Sequence, residues 1–126
     1  MQKWGEDMKG TVFNEMIEQA LLQVHTGFVG RVAGVSGNLA SVQPLNMVKA
    51  VGGQPQRQAV IPNCPILDSA VKFTSLSPVA VRRVQAGDTV YCVCADRDIS
   101  ETRAGAFATP VPGHHTLAGA VVIGIL

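Results

Sequence analysis

FVGRVAGVSGNLASVQPL, residues 28–45, is the stretch that decides the fold class of this chain. Two apolar runs, residues 28–35 and 39–45, flank the tripeptide Ser36-Gly37-Asn38. Short runs rich in valine favour β-strands, and Ser, Gly and Asn are typical of a tight turn between them. We therefore predict an antiparallel β-hairpin over this stretch.

The same alternation of short β-type runs with Gly and Pro continues to the end of the sequence. Further strands are predicted at residues 57–61, 66–67, 71–78, 88–95 and 120–126. Five or six short strands favour a small closed barrel, because closure leaves no long apolar edge exposed. Between the last two strands, residues 96–105 are predicted to form a surface excursion with one short helical turn.

One helix is predicted ahead of the strands. Apolar residues recur there at spacings of three and four, which places them in one stripe: Phe13, Met16, Ile17, Ala20, Leu21 and Val24. Gly10 and Thr11 suit a helix start and Gly27 suits a stop, which predicts a helix over about residues 12–25. The fold class is therefore all-β, a five- to six-stranded barrel over residues 28–126, preceded by an N-terminal segment, residues 1–27, with one amphipathic helix.

Composition narrows the classes of function. Apolar residues make up 47% of the chain and charged residues 15%, which indicates a folded domain. Ten Lys and Arg balance nine Asp and Glu, so the net charge of +1 provides no field that would gather nucleic acid. No apolar run approaches the ~20 residues of a membrane helix, and residues 1–10 lack the apolar core of a secretory signal. We expect no stable membrane insertion.

No pattern of reactive residues predicts an enzyme or a cofactor site. The thiols and imidazoles that bind zinc are present but form no Cys-x-x-Cys or helical His pair: Cys64, Cys92, Cys94, His114 and His115. Cys92 and Cys94 are one residue apart in a predicted strand and are expected to face the core or an interface. We predict no catalytic residue and no metal ligand.

Single-stranded nucleic-acid binding is the alternative that a small barrel leaves open, because such barrels stack bases on aromatic side chains above a basic groove. Aromatic residues are only 5% of this chain. The basic residues are scattered along the sequence rather than grouped: Arg57, Lys72, Arg82, Arg83, Arg97 and Arg103.

A resemblance to a known family is strongest in residues 84–99, VQAGDTVYCVCADRDI, where Gly-Asp, an apolar strand and Asp-Arg-Asp follow one another. This stretch is similar to the N-terminal OB-fold domain of phage central spike proteins, the membrane-piercing proteins of contractile tails. Residues 114–122, HHTLAGAVV, resemble that family's closing stretch, and residues 27–32, 40–44 and 60–66 look like its earlier strands. The family-like positions are Gly87, Asp88, Asp96, Arg97, Asp98, His115 and Leu117.

The resemblance implies a homotrimer on the tail axis that docks on tail hub and baseplate proteins. It implies a location in a virion or tail particle assembled in the bacterial cytoplasm. Family spikes continue into a β-helix with a metal-bound tip, so a separate tip chain is an expected partner; a minimal spike or adaptor of a tailocin or related injection machine is the alternative. Gly113 and Gly119 replace the family's Arg and Asp, which points to a diverged copy.

The helix stripe, Phe13, Met16, Ile17 and Leu21, is the predicted contact surface. In a trimer it would dock on a neighbouring subunit or on the hub. Packing of the same stripe on its own barrel is the alternative.

Overall fold

The computed structural model describes residues 2–22, 24–49, 52–109 and 114–126. One helix precedes the strands, and two short 3-10 helices, Thr102–Ala104 and Leu117–Gly119, lie between the last two of them. The helix is α1 (Gln2–Leu22), and the strands are β1 (Gly27–Ser36), β2 (Leu39–Pro44), β3 (Ile61–Pro65), β4 (Val71–Leu76), β5 (Val79–Arg83), β6 (Thr89–Cys94) and β7 (Ala120–Ile125).

The strands form a curled five-stranded sheet and a separate two-stranded hairpin. The sheet has the order β3-β2-β1-β6-β7, with antiparallel neighbours throughout, and β4 pairs only with β5. Curling brings the two edges of the sheet together at one point, where Ile66 bridges Val122 and Leu67 N–H donates to the Val122 carbonyl at 3.1 Å. The predicted fold class, a small barrel-like β domain behind one N-terminal helix, is confirmed.

Alternating side chains of the curled sheet build the core. On β6, for example, Val90, Cys92 and Cys94 are buried while Tyr91 and Val93 are exposed, as expected for a strand with one buried face. Every buried core residue is small or aliphatic apart from one aromatic: Phe28, Val32, Ala40, Val42, Ile61, Cys64, Ile66, Ala70, Val84, Val90, Cys92, Cys94, Ala120 and Val122.

The hairpin predicted over residues 28–45 is confirmed, with Ser36 opposite Leu39. The strand predicted at residues 57–61 is wrong, because pairing with β2 begins only at Ile61. This strand contains Pro62 and Pro65, which conceal its strand character in the sequence. Proline is tolerated there because β3 is an edge strand, whose outer side needs no N–H donor.

The prediction of a single strand at residues 71–78 is also wrong. The chain turns at Ser77 and Pro78 and returns as β5, which the sequence analysis missed. Residues 66–67 form only the bridge to Val122 rather than a strand. The strands predicted at residues 88–95 and 120–126 are confirmed to within one residue, and so is a short helical turn within residues 96–105.

The helix is longer and earlier than predicted. It runs from Gln2 to Leu22 rather than over residues 12–25, and neither Gly10 nor Thr11 begins it. Good helix formers before Gly10 (Gln, Lys, Glu and Met) extend it, although they add no apolar stripe. It ends early because the N–H of His25 donates to the His115 carbonyl at 2.7 Å instead of continuing the helix. Within the described residues no helix has the length and apolarity needed to cross a bilayer.

Candidate functional site

The helix stripe, Phe13, Met16, Ile17 and Leu21, lies in the open. Its side chains are 64%, 62%, 44% and 59% exposed. Every residue from Gly10 to Leu21 is exposed, so the helix does not bury this stripe against its own barrel. Packing of the stripe on the same subunit is therefore excluded for these residues, and the other alternative, docking on a different chain, remains.

A second exposed apolar surface, the hairpin face, lies on the β4–β5 hairpin. Phe73 lies opposite Val81, and Leu76 lies opposite Val79. Since directly opposed residues share a face and the two valines are two positions apart on one strand, all four lie on one side. Their exposures run from 49% to 76%, so nothing in the same chain covers this face.

Sequence analysis missed the hairpin face. Two apolar runs, residues 71–76 and 79–81, flank the turn formers Ser77 and Pro78, and that signal was available in the sequence. The register that puts the four side chains together depends on an irregularity between Phe73 and Ser75, which the residue pattern does not reveal.

The family-like pair Gly87 and Asp88 forms a turn that ties three parts of the domain together. Gly87 has a φ of +93°, a left-handed conformation that favours glycine. Its N–H donates to the Val32 carbonyl at 2.8 Å, and the Val32 N–H donates to the Asp88 carbonyl at 2.9 Å. These bonds extend the pairing of β1 with β6 into the turn, so the pair has a structural role here.

The Asp88 carboxylate anchors the β4–β5 hairpin to this turn. Both of its oxygens accept hydrogen bonds from Arg82, at 2.8 Å each, and one also accepts from the Gln85 N–H at 3.0 Å. The bonds donated by Arg82 hold the pKa of Asp88 below its ordinary value of 3.8, against the opposing effect of desolvation. The Gln85 N–H and the charges of Arg82 and Lys72 act in the same direction as these bonds.

Asp96 and His115 meet at the opposite end of β6. The nearest Asp96 carboxylate oxygen lies 3.6 Å from His115 Nε2 and also 3.6 Å from His114 Nδ1. The His115 N–H donates to the Asp96 carbonyl at 3.0 Å, while the His115 carbonyl accepts from His25. His115 therefore joins the root of the helix to the end of the central strand.

The remaining family-like positions make local contacts. The Asp98 carboxylate accepts from the Ser100 N–H at 3.0 Å and from its hydroxyl at 3.1 Å, which stabilises the turn. Arg97 is half-buried, and its buried Nε has no hydrogen-bond partner among the described residues. Leu117 packs on the core. Of the two departures from the family pattern, Gly119 is buried beside Ala95 and Gly113 lies outside the described residues.

The three cysteines are buried free thiols. Burial raises the pKa of Cys92 to about 12 and that of Cys64 to about 11, so both are protonated at neutral pH. Burial also raises the pKa of Cys94. Such thiols are poor nucleophiles, and no group of three His, Cys, Asp or Glu within the described part of the chain is arranged to hold a metal ion.

We expect these thiols to resist modification in the folded protein. At pH 7.5 a thiol reagent such as dithiobis(nitrobenzoate) should label fewer than one cysteine per chain over an hour. In denaturant it should label all three cysteines. Rapid labelling of the folded protein would show instead that β6 opens readily or that one thiol is reactive.

The widest groove described, about 590 Å³, lies between the residue 96–105 excursion and the sheet. Leu39, Ile66, Ile99, Arg103 and Val121 are among its lining residues, and no His or Cys lines it. No family model and no curated protein matches the chain. The features that remain as candidates for function are the helix stripe and the hairpin face.

Proposed function

We propose that this chain is a structural subunit of a phage or phage-like contractile tail. In this proposal it is a central spike or spike-adaptor subunit that forms a homotrimer on the tail axis. It would connect the baseplate hub above to a piercing tip below, and it would carry out no chemical reaction.

The observation that carries the proposal is the pair of exposed apolar surfaces on a small barrel-like domain. Phe13 on the helix stripe and Phe73 on the hairpin face are large apolar side chains that a solitary soluble domain seldom leaves together in solvent. Surfaces of this kind are typical of subunits that are covered by neighbours in an assembly. A tail subunit needs at least two of them, one for its own copies and one for the hub.

The family-like motif also supports the proposal. Gly87 and Asp88 precede β6 and anchor the hairpin, and Asp96 follows β6 and faces the root of the helix. The residues that carry the resemblance to spike proteins thus lie at both ends of one strand of the barrel. Each end is next to the base of an element that bears an exposed apolar surface.

The solution mass of the purified chain tests the proposal. Light scattering on a sizing column, over a dilution series, should give three times the monomer mass. A chelator should leave that mass unchanged, and so should an oligonucleotide. A persistent monomer would contradict the proposal.

A second measurement tests the location. Gold-labelled antibody against the chain should mark the baseplate end of contractile particles released from cells that carry its gene. Label on the sheath, or on no particle, would argue against a spike or adaptor even if the chain is trimeric.

Single-stranded nucleic-acid binding remains the second candidate because of one observation. Lys72 lies opposite Arg82 on the hairpin, and Arg83 and the exposed ring of Phe73 are close by. The hairpin thus groups basic residues that are scattered in the sequence, beside an aromatic side chain that could stack on a base. A salt-sensitive gain in mass with the oligonucleotide would favour this candidate over the tail subunit.

A further inference from the structure

The two exposed apolar surfaces have the dimensions and composition to cover each other. The helix stripe offers Phe13, Met16 and Leu21, and the hairpin face offers Phe73 and Leu76 among its large side chains. Each is a narrow strip, one along a helix and one along a two-stranded ribbon. A helix laid along a ribbon of this kind is a common way to bury both.

The helix requires such a cover. Gly5 and Gly10 lie inside it, and glycine in a helix interior is unfavourable relative to alanine. Helices in proteins gain most of their stability from packing one face, and residues 10–21 have no packed face. The hairpin has the same need, because an isolated two-stranded hairpin is marginal in water.

In this structure the two surfaces of one chain are at opposite ends of the barrel. The root of the helix is held where His25 bonds His115 and where Cys94 N–H donates to the Thr26 carbonyl at 2.8 Å. The hairpin is held at the other end of the β1–β6 pair, where Arg82 bonds Asp88 and Arg83 donates to Asn38 at 3.1 Å. The occupant of each surface must therefore come from another chain.

Charge selects which surface meets which. Residues 10–21 of the helix carry Glu15 and Glu18 and no basic residue. The hairpin, residues 71–83, carries Lys72, Arg82 and Arg83 and no acidic residue. Contacts of helix with helix, or of hairpin with hairpin, would bring like charges together, whereas a helix on a hairpin pairs opposite charges.

We infer that the helix stripe of one copy of this chain docks on the hairpin face of the next copy. Because the two surfaces differ, the contact is head-to-tail, and each copy gives one helix and receives one. Such a contact repeats around an axis until the ring closes. The inference shares with the proposed function the requirement that the chain self-associates, and it adds the location of the contact.

Photo-cross-linking tests the location. Phe13 is replaced with benzoylphenylalanine, a photoreactive side chain that keeps an aromatic ring at this exposed position. The variant is mixed with ¹⁵N-labelled wild-type chain, irradiated and digested. Mass spectrometry should find the cross-link to ¹⁵N-labelled peptides from residues 71–83.

The outcomes separate the inference from the proposed function. A cross-link to another segment of the labelled chain would overturn the inference while leaving an assembly in place. A cross-link confined to the variant's own unlabelled hairpin, with none to the labelled chain, would also overturn it. Light scattering that shows only monomer, together with no cross-link, would overturn the inference and the proposed function together.

Matched variants give a second readout. Met16→Asp and Phe73→Asp should each weaken self-association by at least roughly tenfold, the size expected when one central apolar contact is lost. The controls place the same charge on the other side of each element: Gln19→Asp on the helix and Ala80→Asp on the hairpin, where both residues are exposed. These should change the association constant less than about threefold. Equal effects of the variants and their controls would overturn the inference.

Discussion

Replacing Gly30 with alanine is expected to destabilise the domain by about 1–3 kcal/mol, the usual cost of overpacking a core. Gly30 is buried on β1, and a Cβ added there would overlap Cγ1 of Val42 and lie 3.3 Å from the Gln43 carbonyl oxygen. Val42 is fully buried, so it has no free volume into which to move. The midpoint of urea unfolding, measured at one fixed protein concentration, should fall accordingly.

Gly34→Ala is the matched control for this prediction. Gly34 is on the same strand, but an added Cβ would meet nothing within 4 Å. Alanine there should leave stability unchanged or raise it by up to about 1 kcal/mol, because it restricts the unfolded chain. If both variants lost stability equally, the close approach of β1 and β2 at Gly30 would be wrong.

Asp88→Asn is expected to lower the thermal unfolding midpoint by roughly 5 °C at pH 7, the change that follows in a domain of this size from losing one charge-assisted anchor. The variant removes the negative charge that both Arg82 nitrogens contact at 2.8 Å. The hairpin then loses its attachment to the turn before β6. Thermal unfolding followed by circular dichroism measures the change.

The same carboxylate predicts a pH dependence. The pKa of Asp88 is lower in the folded protein than its ordinary value of 3.8, so the folded state favours the ionised form. Its stabilisation is fully present above the ordinary pKa and is lost as the pH falls through the lowered pKa. The difference in unfolding midpoint between wild type and Asp88→Asn should therefore narrow below about pH 4.

Asp98→Asn provides the comparison. Asp98 contacts only Ser100, a near neighbour, in the bonds described for it. This variant should unfold within about 2 °C of wild type, since local turn contacts at the surface contribute little. An equal loss in both variants would mean that the Arg82 pair adds nothing beyond a local turn bond.

The candidate surfaces differ in how far the residue pattern revealed them. The stripe of Phe13, Met16, Ile17 and Leu21 was visible in the sequence, because helical spacing places those residues on one face whatever surrounds them. The hairpin face was not visible. It depends on a turn at Ser77 and Pro78 and on a strand register with an irregularity, and register follows from pairing rather than from composition.

The family-like positions show the same division. The sequence identified Asp88 as a position of interest, but its partner Arg82 is six residues away on a strand that the sequence analysis missed. Asp96 and His115 both belong to the quoted stretches, yet nothing in the residue pattern indicated that they lie 3.6 Å apart. Contacts between elements require the fold, because side-chain proximity across a sheet is set by strand order.

The sequence by itself determined the class of this protein: a helix with one apolar stripe, then short β-strands separated by Gly and Pro, with the hairpin at residues 28–45. Those features are local, since strand and helix spacing and turn residues act over a few neighbours along the chain. The tertiary structure decided the rest: the curled order β3-β2-β1-β6-β7, the early end of the helix at His25, and the exposure of both apolar surfaces. These depend on which distant segments meet, and only packing of the whole chain, where burial of the core outweighs local preference, settles that choice.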